Sequence, residues 1–250
     1  MGDSVNSQLQ VYKQLLNETT KYHNSDGTQH RRELKEEDKK FIENALKESM
    51  KDSDPARKMA EILDNISKTE DTETKLLYID DLIDIVCQVD FATIYALNYK
   101  GLEEIKNNIN SKNDEKLTCA YISLLTTITH NNLEVQDLIN KYSKEFNFLE
   151  YLLEEFIKKS NVPSMLKKRS LGAVAAIVNN HRLNFSMFLS LKGVESLKNI
   201  VNNEDNEEIL DRTKFTLNLL KSSLPDVDKD DTRKYISDIL YLKKFVYNNY

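Results

Sequence analysis

The segment Tyr99-Lys100-Gly101-Leu102-Glu103 recurs 92 residues later as Leu191-Lys192-Gly193-Val194-Glu195, and midway, 46 residues along, stands Phe146-Asn147-Phe148-Leu149-Glu150. Gly and Asn most readily take the left-handed backbone conformation that ends a helix or turns between helices. Gly, Asn, Gly in register therefore read as one turn used three times. An apolar helical stretch follows each of them, at 120–128, 173–177 and 215–220. A period in the forties suits units of two or three helices, because a single helical hairpin cannot bury its apolar face until a neighbour stacks on it. An irregular helical bundle is the alternative.

Composition narrows the class. With 5 Gly and 3 Pro in 250 residues there is little material for β-turns. The fold expected is all-α, an armadillo/HEAT-like right-handed helical solenoid with helical caps. Residues 1–32, rich in Asn, Gln, Ser and Thr, read as a flexible polar tail. Residues 33–250 then form one domain: N-terminal cap helices over 34–67, repeats over about 74–224, and a closing helix over 231–250. In the first cap helix, Phe41, Ile42, Ala45, Leu46 and Met50 fall on one face behind the acidic first turn Glu36-Glu37-Asp38. The second opens at Asp54-Pro55, a cap followed by proline at the first helical position, and buries Met59, Ile62, Leu63 and Ile66. Leu76, Leu77, Ile79, Leu82, Ile83 and Val86 give the next helix a broad apolar face. The inner helices start at Asn113-Asp114-Glu115, Pro163-Ser164 and Asn206-Glu207-Glu208. Their apolar faces carry Leu117, Ala120, Tyr121, Leu124, Leu125 and Ile128, then Leu166, Leu171, Val174, Ala175 and Ile177, then Ile209, Leu210, Phe215, Leu217, Leu219 and Leu220. The closing helix carries Tyr235, Ile236, Ile239, Leu240, Leu242 and Phe245.

Several functions are disfavoured at once. No run of about eighteen uncharged apolar residues exists to span a membrane. Residues 1–10 lack the basic-then-apolar pattern of a signal peptide, and Asn6 stands where a myristoylation signal needs Ser or Thr. The cytoplasm is the expected compartment, so the sequons at Asn17, Asn65 and Asn184 carry no weight. A net charge of −6 argues against a nucleic-acid surface. Cys87 and Cys119 lie in apolar helical stretches and read as small core residues. His23, His30, His130 and His181 lack the spacing of a metal site. Nor is there a nucleophile beside a base, or a glycine-rich phosphate loop. No catalytic residue, cofactor or metal is expected.

Function then belongs to a surface. In an armadillo array the third helix of each unit lines the concave side, and here those helices end in Thr129-His130-Asn131-Asn132 and Val178-Asn179-Asn180-His181-Arg182. The plainer reading is that Asn caps these helices while His and Arg complement their dipoles. Lys167-Lys168-Arg169, early in the second inner helix, similarly reads first as a solvated basic face.

A resemblance sharpens the choice. The stretch 34–48, then 59–66, then Asp81-Leu82-Ile83-Asp84-Ile85-Val86-Cys87-Gln88-Val89-Asp90-Phe91-Ala92 resembles the opening of the armadillo-type nucleotide exchange factors of the 70-kDa heat-shock chaperone. Asp90 and Ala92 match that family's Asp-Asn-Ala element, with Phe91 departing from it, and Gly101-Leu102 matches its Gly-Leu turn. The inner-helix endings Asn131-Asn132 and Asn180-His181 are similar too, and Asn179 stands where Arg is expected. The resemblance covers about residues 34–225 and implies a non-enzymatic, monomeric co-chaperone. It would clasp one lobe of the chaperone's nucleotide-binding domain, displace the other and release ADP. The partner-binding residues it implies are Asp90, Ala92, Asn131, Asn132, Lys168, Asn180 and His181. The rival is a general armadillo adaptor holding a peptide or a folded partner in its groove, though this chain has 0 Trp where peptide-binding grooves repeat it.

Overall fold

A computed structural model describes residues 40, 44, 54–109, 114–222 and 236–245. The polar tail expected at 1–32 lies outside these residues, as do nearly all of the first cap helix and both ends of the closing one, Tyr235 included. Contacts divide the chain into two units, Met1–Lys58 and Met59–Tyr250. The packing below belongs to the second.

Every regular element among the described residues is helical. In order they are α1 (Pro55–Lys68), α2 (Thr72–Val86), α3 (Val89–Asn98), α4 (Gly101–Ile109), α5 (Glu115–Thr129), α6 (Leu133–Lys141), α7 (Ser143–Phe146), α8 (Phe148–Tyr151), a π-helical turn (Leu152–Ile157), α9 (Ser164–Val178), α10 (Arg182–Ser190), α11 (Gly193–Asn203), α12 (Glu207–Ser222) and α13 (Ile236–Phe245). Short polar side chains start them by accepting from otherwise unpaired amides. Asp54 Oδ1 takes the Ala56 N–H at 3.0 Å, Asp71 Oδ2 that of Thr74 at 2.8 Å, and Asp114 Oδ1 that of Lys116 at 2.7 Å. Asn206 Oδ1 accepts from Glu208 N at 3.0 Å and Ile209 N at 3.2 Å.

Helices at corresponding places in successive stretches pack on one another. α2 lies against α5, α5 against α9, and α9 against α12; α3 packs on α6, and α6 on α10; the π-helical turn packs on both α9 and α11. The first series supplies the core. Ile79, Leu82 and Val86, then Tyr121, Ile122, Leu124, Leu125 and Ile128, then Leu171, Val174, Ile177 and Val178, then Leu217 and Leu220 are all buried. Each such aliphatic side chain contributes about 1.5–3 kcal/mol on leaving water. Within α3–α5 a carboxylate joins the elements. Glu104 accepts from the Tyr95 hydroxyl and from the Tyr121 hydroxyl, both at 3.1 Å. Burial pushes the Glu104 carboxyl above its ordinary range, and the two phenol hydrogen bonds pull it partly back.

The recurrent turn is present, but its left-handed residue is not the glycine. Lys100, Asn147 and Lys192 have φ of 53°, 37° and 58°. Gly101 and Gly193 come one residue later and open α4 and α11, where the reason for glycine is space. A Cβ on Gly101 would fall 2.4 Å from Tyr95 Cε1, and one on Gly193 2.1 Å from Phe188 Cε2. In the middle copy Phe148 holds this place, buried and stacked on Phe146 with ring centroids 5.7 Å apart.

Other expectations also shift. Leu77, Phe215 and Leu240 are 66%, 53% and 47% exposed. The inward face of α12 runs through Ile209, Thr213, Thr216, Leu217 and Leu220, an even helical spacing from which Phe215 is displaced. The threonines can occupy it because Thr213 Oγ1 donates to Ile209 O at 2.8 Å and Thr216 Oγ1 to Arg212 O at 2.9 Å. Of the two cysteines, Cys119 packs against the core and Cys87 does not. Cys87 is exposed just beyond α2, its Sγ 3.0 Å from Asp84 O, and Cys119 is half-buried.

Candidate partner-binding edge

α3, α6 and α10 start beside one another, and the residue before each belongs to the turn that leaves the preceding long helix. Asn131 and Asn180 make those turns possible, both exposed and both at φ 54°. The next residues, Asn132 and His181, face inward at 2% and 4% exposure and cap α6 and α10. Asn132 Oδ1 accepts from Val135 N at 3.3 Å, while its Nδ2 donates to Thr93 Oγ1 at 3.2 Å and Val89 O at 3.3 Å. His181 Nδ1 accepts from Asn184 N at 3.1 Å, so the ring proton sits on Nε2, which donates to Asp137 Oδ1 at 2.9 Å. Thr93 and Asp137 occupy the same place, five residues beyond the caps Gln88 and Asn132. One device is thus used twice: the cap of each helix reaches back to its predecessor.

A deeper layer fixes α10 and the end of α9. Asn184 is fully buried; its Nδ2 donates to Gln136 O at 3.1 Å and Ile177 O at 3.0 Å, and its Oδ1 accepts from Asn140 Nδ2 at 3.1 Å. Gln136, also buried, donates from Nε2 to Ala176 O at 2.8 Å and Asn179 O at 2.9 Å, serving carbonyls at the end of α9. A carboxamide suits this place because it supplies donors and an acceptor without charge.

Above this framework the surface is apolar, with acids at the starts of α3 and α6 and the exposed Arg182 at the start of α10. Val89, Leu133 and Leu183, each in the first turn of its helix, are 53%, 60% and 54% exposed, with Asp90, Glu134 and Asp137 beside the first two. Val89, Asp90, Thr93, Ile94, Asn132, Leu133 and Glu134 line a cleft of about 430 Å³.

The residues expected at a partner surface therefore separate into three groups. Asp90, Asn131 and Asn180 are exposed on or next to the edge. Asn132, His181 and Ala92 lie beneath it, Ala92 only 2% exposed, so these position the surface and present little of it. Lys168 is elsewhere: it pairs with Glu208 near the start of α9, ten residues or about 15 Å along the axis from that helix's end. Leu133, Leu183, Gln136 and Asn184 were not anticipated. The apolar pair could have been: Leu133 is two residues from Val135, which turns it to the far side of the helix from the core.

Taken as a class, the described residues form an all-helical protein with an exposed apolar edge set among charged side chains, in which no three metal-binding side chains stand together. No family model matches the sequence. Over 127 residues, 51% of this chain, the sequence is 28% identical to the Hsp70 nucleotide exchange factor FES1 of Saccharomyces cerevisiae. The matched segment spans 42% of that relative's length. Among solved structures, the crystal structure of an engineered protein from the Northeast Structural Genomics Consortium aligns with a TM-score of 0.52 at 18% identity, over 64% of this chain and 61% of the other. That likeness concerns the fold alone.

Proposed function

We propose that this chain is an armadillo-type co-chaperone that binds the nucleotide-binding domain of a 70-kDa heat-shock chaperone and promotes ADP release. The similarity to the yeast exchange factor carries the reading. The successive packing of α2, α5, α9 and α12, with α3, α6 and α10 alongside, supports a solenoid of three-helix units. The docking surface is the edge of Val89, Asp90, Asn131, Leu133, Asn180 and Leu183, held in place by Asn132 and His181. Exposed apolar side chains among fixed polar ones are the usual make-up of a protein interface. The factor acts without turning over a substrate, as a cytoplasmic monomer. It binds the open form of the two-lobed domain better than the closed form and shifts the equilibrium by that difference alone. By linkage, nucleotide weakens the complex by the same factor.

Stopped-flow release of a fluorescent ADP from the chaperone, chased with excess ATP, tests this. Acceleration that saturates with protein concentration is expected, and Leu133→Arg should require at least about tenfold more protein while melting normally. Ala92→Arg would not serve, since an arginine at that buried position disrupts the core. An unchanged release rate with folded wild-type protein overturns the proposal.

A further inference from the structure

Lys167, Lys168 and Arg169 are consecutive cations with three different fates. Lys167 is buried with its Nζ 3.2 Å from Glu204 Oε2, and Lys168 holds Glu208. Arg169 is exposed and makes no ion pair among the described residues. Across the α9–α12 packing lies Arg212, equally without a carboxylate partner among them. Its guanidinium rests over Gly172 of α9, where an added Cβ would meet Nη2 at 2.5 Å, and 5.2 Å from the Phe215 ring. Burial, and then the charge of Arg169, holds the Arg212 guanidinium below its ordinary range.

Arg169 stands one turn before Gly172, on which Arg212 rests, and two like charges on one such ridge, one of them partly desolvated, are costly unless something anionic joins them. The chain is acidic overall, with a net charge of −6, and eight of its described lysines are matched to carboxylates. The arginine pair departs from that practice. Apolar surface flanks it on both helices: Phe215 is 53% exposed one turn along from Arg212, and Met165 is 45% exposed one turn before Arg169.

We propose that Arg169 and Arg212 form a binding site for an acidic peptide segment of a partner protein. The two guanidiniums take its carboxylates, and Phe215 and Met165, at opposite ends of the pair, each take an apolar side chain. Guanidinium suits the task because its fixed fork of donors matches a carboxylate. Gly172 is the seat of the site, since a Cβ there would push the Arg212 guanidinium from its place on α9. One competing occupant is the chain's own acidic stretch of Asp226, Asp228, Asp230 and Asp231, which follows α12 in sequence.

The test uses the full chain and the fluorescence anisotropy of a labelled eight-residue peptide that alternates Glu-Asp pairs with leucine. Its Gln-Asn counterpart is the control. Saturable binding of the acidic peptide, with at least tenfold weaker binding of the amide one, is expected. Arg169→Gln and Arg212→Gln should each weaken it about tenfold, and added salt should weaken it further. Gly172→Ala, which leaves both arginines present but moves one, should weaken it several-fold. Equal binding of the two peptides, an unchanged Kd in the three variants, or no binding by wild type overturns the proposal. So does binding that appears only after Asp226, Asp228, Asp230 and Asp231 are together replaced by Asn, which would make the chain's own segment the occupant.

Discussion

Asn184 is the residue on which the geometry of the edge most depends, and its replacement by alanine gives a calculable loss. The side chain makes three hydrogen bonds: two donated to Gln136 O and Ile177 O, one accepted from Asn140. At about 1 kcal/mol net for each, the loss is about 3 kcal/mol. Total stability for a domain of this size is on the order of 10 kcal/mol, so the variant remains folded and measurable. The midpoint of thermal unfolding should fall by about 6–12 °C. Urea denaturation followed by far-UV circular dichroism reads the free energy directly. Two controls separate hydrogen bonding from bulk. Asn184→Asp preserves shape but points acceptors at two carbonyls, so it should cost more than alanine. Asn140→Ala, which removes the one bond made from the more open side, should cost about 0.5 kcal/mol alone and almost nothing when Asn184 is already alanine. A loss below about 1 kcal/mol for Asn184→Ala, or full additivity with Asn140→Ala, would refute the claim that this carboxamide pins α10 to α6 and α9.

Glu104 gives a pH-dependent signature. Its folded-state affinity for a proton is raised, so its contribution is fully present below the ordinary carboxyl value of 4.5 and is lost as pH rises above it. Glu104→Gln should therefore gain on wild type in unfolding free energy as pH rises above 4.5, and a pH-independent difference would contradict this. Gly193→Ala should destabilise by about 1–3 kcal/mol through overlap with Phe188, whereas Lys192→Gly, which relieves a φ of 58°, should stabilise by up to about 1 kcal/mol; thermal melts decide both. Burial pushes the Cys119 thiol up to about 11, so maleimide labelling at pH 8 should show a fast thiol, Cys87, and a second at least about tenfold slower; Cys87→Ser should abolish the fast phase alone.

Helical class and helix starts were legible in the sequence because they follow from local chemistry. Asp54, Asp114 and Asn206 cap the helices they were expected to cap, since a short acceptor before an apolar run has few other uses. The recurring turn was legible as a spacing and misread in mechanism. Glycine suggests left-handed backbone, whereas Gly101 and Gly193 are set by the rings of Tyr95 and Phe188, which come from a different helix. The exposed residues of the candidate edge were the least legible. A sequence shows that Asn131-Asn132 and Asn180-His181 end one helix and start another, but which of each pair points outward depends on which takes φ 54°. Ala92 shows the same limit, because a small residue serves a buried contact as well as an interface. Thr213 and Thr216 displaced Phe215 from the expected core because a back-bonded hydroxyl is tolerated inside, a choice that hydropathy does not register.

The π-helical turn Leu152–Ile157 has a consequence for how this chain can change length. Lys158 N bonds to Leu153 O at 2.9 Å, five residues back, while Leu152, Leu153 and Ile157 remain buried. A turn wound this way stores one residue of slack, and π-helical turns generally occur as such single-residue bulges in otherwise α-helical segments. Losing one residue there would tighten the segment to an ordinary α-helix and leave the flanking helices in phase. The same deletion within α9 would rotate everything after it by about 100° and turn a buried stripe toward water. Gains and losses of single residues among descendants of this sequence should therefore collect at 152–157 and avoid the long helices on either side.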